Sequence, residues 1–184
     1  MTLKDITKDL HQQAESTQFM RALFDGKLHP EVWIDFTYQK TLFYNTIEGA
    51  AGSCRLLHDL PDIRRGFKIY QDYCAMTSNS STKYHYRSSV VDYHNYILSI
   101  NKDPDLIMAH LYVWHMGDLY GGQMIKRMVQ GSHIALDFEN KELLIQNIRA
   151  KLNAETMGQE ARRAFEWSIK ILKEYDNIAR PEHQ

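Results

Sequence analysis

Apolar side chains recur along this chain at the three- and four-residue spacings of amphipathic helices, and the pattern covers most of its length. Alternating segments joined by turn residues, which would indicate strands and hairpins, are absent from the sequence. Four prolines and nine glycines interrupt the pattern, and no repeat or low-complexity linker divides it. We therefore predict an all-α fold in which residues 1–184 form a single domain, a helical bundle.

Residues that begin and end helices divide this pattern into seven predicted helices. Thr2 and Asp5 resemble a capping box at the first start. Asp103 and Pro104 combine an N-cap residue with a proline suited to the first helical turn. The predicted helices run from Thr2 to Gly26, from Pro30 to about Ala51, from Pro61 past Tyr73, from Tyr84 to Ile100, from Pro104 to the connection at Gly131, from Asn140 to about Asn153 and from Met157 to Ile178.

The most unusual stretch lies in the fifth predicted helix, where residues 115–124 read His-Met-Gly-Asp-Leu-Tyr-Gly-Gly-Gln-Met. Three glycines inside a helix cost about 3 kcal/mol relative to alanine, so another interaction has to offset them. Gly117 and Gly121 share one face, which they leave without side chains, and Gly121-Gly122 is a predicted kink. Two interpretations remain open. Either another helix packs closely here and Asp118 is solvated, or a planar cofactor lies on the bare face and Asp118 organises polar chemistry beside it. The sequence suggests no buried partner for this carboxylate.

The first predicted helix carries a histidine with a carboxylate one turn away. Glu15 follows His11 by four residues, which is close enough on a helix for the two side chains to interact. Lys4 precedes His11 by seven residues and projects on nearly the same face. A lone helical histidine is more often a surface or core residue than a metal ligand, so this spacing alone does not assign a role.

Composition excludes several classes of function. The net charge is −1 with neutral histidines and the pI is about 6.7, so nothing indicates a nucleic-acid partner. Cys54 and Cys74 form no CxxC or CxxCH motif, which leaves thiolate metal sites and c-type haem attachment unsupported and favours a reducing compartment. Without a visible secretion signal or an apolar run of about 20 residues, the chain is expected to be soluble and to have no membrane partner.

Two separated motifs resemble the haem oxygenase family. Residues 10–15, Leu-His-Gln-Gln-Ala-Glu, are similar to its proximal-histidine motif. Residues 109–112, Ala-His-Leu-Tyr, and residues 117–123, Gly-Asp-Leu-Tyr-Gly-Gly-Gln, are similar to its distal-helix signature. Further matching positions are Phe19-Met20-Arg21, Tyr44 with Glu48, and Arg149 with Asn153.

The chain departs from the family pattern at three distal positions. The family usually has serine where Tyr120 stands, and often has arginine and tyrosine where Trp114 and His115 stand. We therefore expect different polar contacts on the distal side. The membrane-anchoring tail of animal members is also missing, so the chain resembles the soluble microbial or plastid type and is expected in the cytoplasm or the plastid stroma.

The resemblance implies a haem sandwiched between a proximal helix and a glycine-kinked distal helix. His11 resembles the axial ligand of the haem iron, and Glu15 would hold the other ring nitrogen. Cationic and hydroxyl groups would bind the two haem propionates, and an aromatic ring would pack on the haem edge. The residues with these roles are Lys4, Tyr112 and Arg149 for the propionates and Phe165 for the edge.

On the distal side, the resemblance assigns a catalytic set. Gly117 and Gly121 would let the helix backbone lie over the porphyrin. Asp118 resembles the family's distal carboxylate, which delivers protons through ordered water and does not ligate the iron. Tyr44 resembles part of the same polar network, although a buried core tyrosine is an almost equally good interpretation.

The implied reaction is the oxidative opening of haem to biliverdin, carbon monoxide and ferrous iron, with haem as both cofactor and substrate. The chain lacks a flavin or nicotinamide fingerprint, so electrons would come from a partner, expected to be ferredoxin, with a flavoprotein reductase as second choice. One alternative is a non-catalytic haem carrier, which would need His11 but not Asp118. The other is a thiaminase-like helical hydrolase, which would need a nucleophilic cysteine that neither Cys54 nor Cys74 resembles.

Overall fold

The computed structural model describes residues 1–178, and all regular structure in this range is helical, as the hydrophobic pattern predicts. The elements are α1 (Leu3–Glu15), α2 (Gln18–Phe24), α3 (Pro30–Ser53), α4 (Gly66–Thr77), α5 (Ser88–Ser99), α6 (Pro104–Met128), a 3₁₀ turn (Ile134–Leu136), α7 (Lys141–Ala150) and α8 (Ala154–Lys173). No helix within these residues is long and apolar enough to cross a membrane.

Local capping signals place the helix starts where the sequence contains them. Thr2 and Asp5 form both hydrogen bonds of a capping box at the start of α1. Asp103 accepts hydrogen bonds from the backbone of Asp105 and Leu106, and Pro104 occupies the first turn of α6. The first predicted helix is nevertheless two helices, because the Thr17 hydroxyl caps the start of α2.

The helix predicted to begin at Pro61 is wrong, since α4 begins only at Gly66. The reason is a contact from a distant part of the chain. The Glu48 carboxylate accepts hydrogen bonds from the backbone nitrogens of Arg65, at 2.6 Å, and Gly66, at 3.1 Å. The buried Arg65 guanidinium donates to the carbonyl of Asp137 at 2.7 Å, which further fixes the chain before α4.

The predicted start at Tyr84 is also wrong, because α5 begins at Ser88. Residues 81–87 form no regular element, and the aromatic rings of this segment pack on α3. Tyr86 stacks on Tyr38 with ring centroids 4.6 Å apart and planes inclined by 9°. These tertiary contacts compete with the continuation of the helix toward its N-terminal side.

A buried polar network joins α5, α6 and α8. Trp114 Nε1 donates to the Tyr93 hydroxyl at 2.9 Å, and that hydroxyl lies 2.7 Å from Nδ1 of His110. His110 Nε2 lies 2.8 Å from the Glu160 carboxylate. Burial lowers the pKa of His110, although the neighbouring Glu160 opposes this shift. A neutral ring with its proton on Nε2 satisfies both contacts, because Tyr93 then donates to Nδ1.

The helices α1 and α6 both pack along α8, and α3 packs against α4, α5 and α6. A small apolar cluster, separate from the main core, forms where α1, α6 and α8 meet. Its centre contains Leu10 from α1, Val113 from α6 and Phe165 from α8. The predicted proximal and distal helices therefore meet the same supporting helix, with His11 immediately beside this cluster.

Candidate active site

The three glycines of α6 have different environments. A Cβ atom added to Gly117 would have no neighbouring atom within 4 Å, and one added to Gly121 would meet only Ile125 of the same helix, at 3.9 Å. Gly122 instead faces Leu136, whose Cβ would lie 3.4 Å away. Gly122 is therefore packed at ordinary van der Waals distance from Leu136, whereas Gly117 and Gly121 form an open strip of backbone. The helix continues through all three glycines as one element.

Asp118 is buried beside this strip, so the interpretation of a solvated carboxylate is wrong. The residue is 7% exposed, and Lys40 Nζ lies 3.2 Å from both of its carboxylate oxygens. The Tyr44 hydroxyl donates to Oδ2 at 2.6 Å. The expectation that this carboxylate has no buried partner is also wrong, since removal of Asp118 would strand the Lys40 ammonium.

Tyr44 is a hydrogen-bond donor in this network. Burial, and next the charge of Asp118, raise the pKa of Tyr44 well above its ordinary value, so the phenol keeps its proton. Its ring also lies beneath the Lys40 ammonium, 4.8 Å from ring centroid to Nζ. The two alternatives for Tyr44 are therefore compatible, because it is a core tyrosine that also contacts the candidate carboxylate.

Sequence reasoning did not identify Lys40. The available signal was a lysine in a helical segment rich in aromatic and apolar residues, four residues before Tyr44 and so on the same face. Its partner lies on α6, 78 residues later in the chain. Helical spacing can place Lys40 beside Tyr44, but it cannot identify a partner on another helix.

His11 lies on an accessible face of α1. Its Nδ1 is 3.5 Å from the Glu15 carboxylate, and the two side chains are 57% and 50% exposed. The edge of its ring meets Phe165, with centroids 5.7 Å apart. With Nδ1 directed at Glu15, Nε2 is the ring nitrogen suited to an incoming ligand. The structure thus brings together His11, Glu15 and Phe165.

The predicted propionate-binding residues lie on three helices. Lys4 is exposed in the first turn of α1, and Arg149 is exposed near the end of α7. Arg149 donates to the Tyr120 hydroxyl at 2.6 Å. Burial raises the pKa of Tyr112, whereas the Thr7 hydroxyl and the charge of Arg149 lower it. Tyr112, Tyr120 and Arg149 therefore form a neighbouring group.

These features suit a flat, acidic, iron-containing ligand. The bare strip at Gly117 and Gly121 permits a planar ring to approach the backbone, and His11 supplies an accessible imidazole. Lys4 and Arg149 supply cations suited to peripheral carboxylates. The donor set thus fits haem, which is the group that the sequence motifs imply.

Known proteins share both the sequence and the fold of this chain. The family model described as "Heme oxygenase" matches residues 1–142. Heme oxygenase 2 of Mus musculus is 27% identical over 213 residues, covering 95% of this chain but 64% of the relative. The heme oxygenase of Porphyra purpurea is 27% identical over 142 residues, covering 71% of this chain and 58% of that protein. The chain therefore spans less than two thirds of the length of these relatives.

Solved structures confirm the fold class. The crystal structure of heme oxygenase-1 from Synechocystis sp. PCC6803 in complex with heme aligns with a TM-score of 0.80 and 20% identity, covering 95% of this chain and 90% of that chain. The structure of the heme oxygenase from Leptospira interrogans aligns with a TM-score of 0.78 and 22% identity, covering 95% of this chain and 100% of that chain. The all-α bundle predicted from the sequence is the fold of these proteins.

Proposed function

Because this chain belongs to the heme oxygenase family, we propose that it cleaves haem with dioxygen and external electrons to biliverdin, carbon monoxide and ferrous iron. Haem would be both cofactor and substrate. The observation that carries the proposal is the open backbone strip of Gly117 and Gly121 with a buried, ordered carboxylate, Asp118, directly beside it. The strip accounts for binding of a flat ligand, and the carboxylate supplies polar chemistry next to it.

The proximal side would hold the haem through α1. His11 would bind the iron through Nε2, while Glu15 keeps Nδ1 occupied and so fixes the ring orientation. Phe165 would support the imidazole edge and pack on the haem rim. Lys4, Arg149 and Tyr112 would bind the propionates, and the position of these groups would set how the ring is rotated between α1 and α6.

The distal side would manage water and protons. The bound haem iron supplies the activation of dioxygen. Asp118 is held by Lys40 and Tyr44, so it would serve as a fixed hydrogen-bond acceptor for water beside the glycine strip and not as an iron ligand. Through that water it would pass protons to the reacting oxygen atoms. The helix face without side chains at Gly117 and Gly121 would let the haem ring lie close to the Asp118 carboxylate.

An external protein would supply the electrons. The sequence contains no flavin or nicotinamide fingerprint, so the donor would be a separate protein. We propose ferredoxin, which the resemblance to soluble members of the family suggests, with a flavoprotein reductase as second choice. Turnover with each donor at equal reducing power would distinguish them, and the physiological class should give the lower KM.

The test of the function is a hemin titration followed by a single turnover. We expect one hemin per chain, with a sharp Soret band, and biliverdin and carbon monoxide after a reductant is added in air. A protein that binds hemin stoichiometrically but releases neither product would refute the enzyme and favour the haem carrier. Hydrolysis of a thiamine analogue without hemin binding would instead favour the hydrolase.

A further inference from the structure

A buried ion pair lies between α3 and α6, beside the open strip at Gly117 and Gly121. Lys40 is 6% exposed and Asp118 is 7% exposed. The ammonium is 3.2 Å from Oδ1 and 3.2 Å from Oδ2, so it lies symmetrically with respect to the two oxygens. A symmetric contact of this kind fixes the direction in which the carboxylate points as well as its position.

The second partner makes the two oxygens unequal. Tyr44 donates to Oδ2 at 2.6 Å, so that oxygen carries two donors. In the part of the chain that the structure describes, Oδ1 has the Lys40 contact alone. Each carboxylate oxygen has about two lone pairs to offer, so Oδ1 is the oxygen with capacity for a further donor.

Lys40 Nζ is the cation that contacts the Asp118 carboxylate, and a nearby opposite charge favours the ionised form of an acid. Burial disfavours an isolated carboxylate and favours its protonated form, which donates a hydrogen bond where the ion can only accept. The other titratable groups around Tyr44 do not replace this cation. On α3 there is the Glu48 carboxylate, and on α6 there is His115, which is itself bound to Glu48 at 2.9 Å.

From this arrangement we propose that Lys40 is the positioning residue of the distal site, which keeps Asp118 ionised and leaves Oδ1 available as the acceptor for water. The inference rests on the proposed function but concerns residues of the chain itself. This chain has Trp114 at a position where the family often has arginine. Here the indole donates to Tyr93, and the cation at Asp118 comes from α3.

The first test needs no haem. Lys40→Met keeps the length of the side chain and removes its charge. The difference between the infrared spectra of Lys40→Met and Lys40→Met/Asp118→Asn isolates the Asp118 side chain. At pH 7.5 it should show the carbonyl band of a protonated carboxyl group. Wild type against Asp118→Asn should show a carboxylate band instead. A carboxylate band in both comparisons would overturn the proposal.

The second test links the ion pair to turnover. Lys40→Met should bind hemin within threefold of the wild-type affinity, because His11 is untouched, and should give at least tenfold less biliverdin in a single turnover. Lys40→Arg keeps the charge and should recover at least half of the yield. The matched control is Lys170→Met on α8, which breaks an exposed pair with Asp92 and should change neither quantity.

These outcomes separate the inference from the function on which it rests. A wild-type protein that makes no biliverdin refutes the function, while the infrared spectra still decide whether Lys40 keeps Asp118 ionised. Wild-type yield from Lys40→Met refutes the positioning role. If Lys40→Met does not fold, Lys40→Gln takes its place in both measurements, since it keeps a donor without the charge.

Discussion

Replacement of Asp118 by alanine should destabilise this protein as well as impair its chemistry. The substitution removes the counter-ion of a lysine that is 6% exposed, and it leaves the Tyr44 hydroxyl with only the Trp114 carbonyl, 3.4 Å away. The main cost is the uncompensated ammonium, because Tyr44 retains a weak acceptor. An activity loss in Asp118→Ala would therefore mix two effects.

The magnitude follows from the burial of the pair. Breaking a buried ion pair by removing one partner costs about 3–5 kcal/mol. For a chain of this size each kcal/mol lowers the melting temperature by roughly 2–4 °C, so Asp118→Ala should melt about 6–20 °C below wild type. An exposed pair is worth about 1 kcal/mol or less, which predicts a much smaller change for Asp92→Ala as the surface control.

Urea denaturation of apo wild type, Asp118→Ala, Lys40→Met and the double variant provides the assay. In the double variant neither charge is stranded, so it should be about 2–3 kcal/mol more stable than the sum of the single losses predicts. Additive losses within about 0.5 kcal/mol would refute the buried pair. Asp118→Asn also removes the counter-ion but keeps an acceptor oxygen for Lys40 and Tyr44, so it should lose less stability than Asp118→Ala. It should bind hemin, accept the first electron and make little biliverdin while oxidising added guaiacol.

The remaining predictions concern four other positions. His11→Ala should lose the normal axial-ligand spectrum, and an unchanged iron–histidine Raman band would contradict the ligand assignment. Arg149→Glu should yield mixed biliverdin isomers by chromatography, while Lys151→Glu, which breaks an ion pair with Asp59 just after α7, should retain the wild-type pattern. Gly117→Leu should stabilise the apo protein by up to about 1 kcal/mol, because the site has open space, but should weaken hemin binding at least tenfold. Because the pKa of His110 is lowered in the folded state, the unfolded chain takes up a proton first as pH falls below about 6.5. The free energy of unfolding should therefore fall by up to about 1.4 kcal/mol per pH unit in that range, and less steeply in His110→Gln. Equal slopes for the two proteins would refute His110 as the origin.

Features that are determined by residues close together in the chain could be predicted from the sequence. The capping box at Thr2, the proline start at Pro104 and the bare face at Gly117 and Gly121 all depend on spacings of four residues or fewer. Their structural consequences are local, so the sequence specifies them directly.

Features that depend on contacts between distant parts of the chain could not be predicted from the sequence. The start of α4 is set by Glu48, 17 and 18 residues before the backbone groups that it binds. The partner of Asp118 lies 78 residues away, and periodicity says only that each side chain faces inward. The sequence therefore did not show that Lys40 would compensate the buried charge of Asp118, because the two residues meet only when α3 packs against α6.

The contact between Tyr120 and Arg149 has a consequence for how an acidic ligand would enter. Arg149 already donates to a phenol oxygen, so its guanidinium is oriented before any carboxylate arrives. In the proposed complex a propionate would exchange with the phenol or share the remaining donors, and the arginine would lose little additional side-chain freedom on binding. Entry would then be an exchange of hydrogen-bond partners, in which Tyr120 orients the docking group until the ligand replaces it.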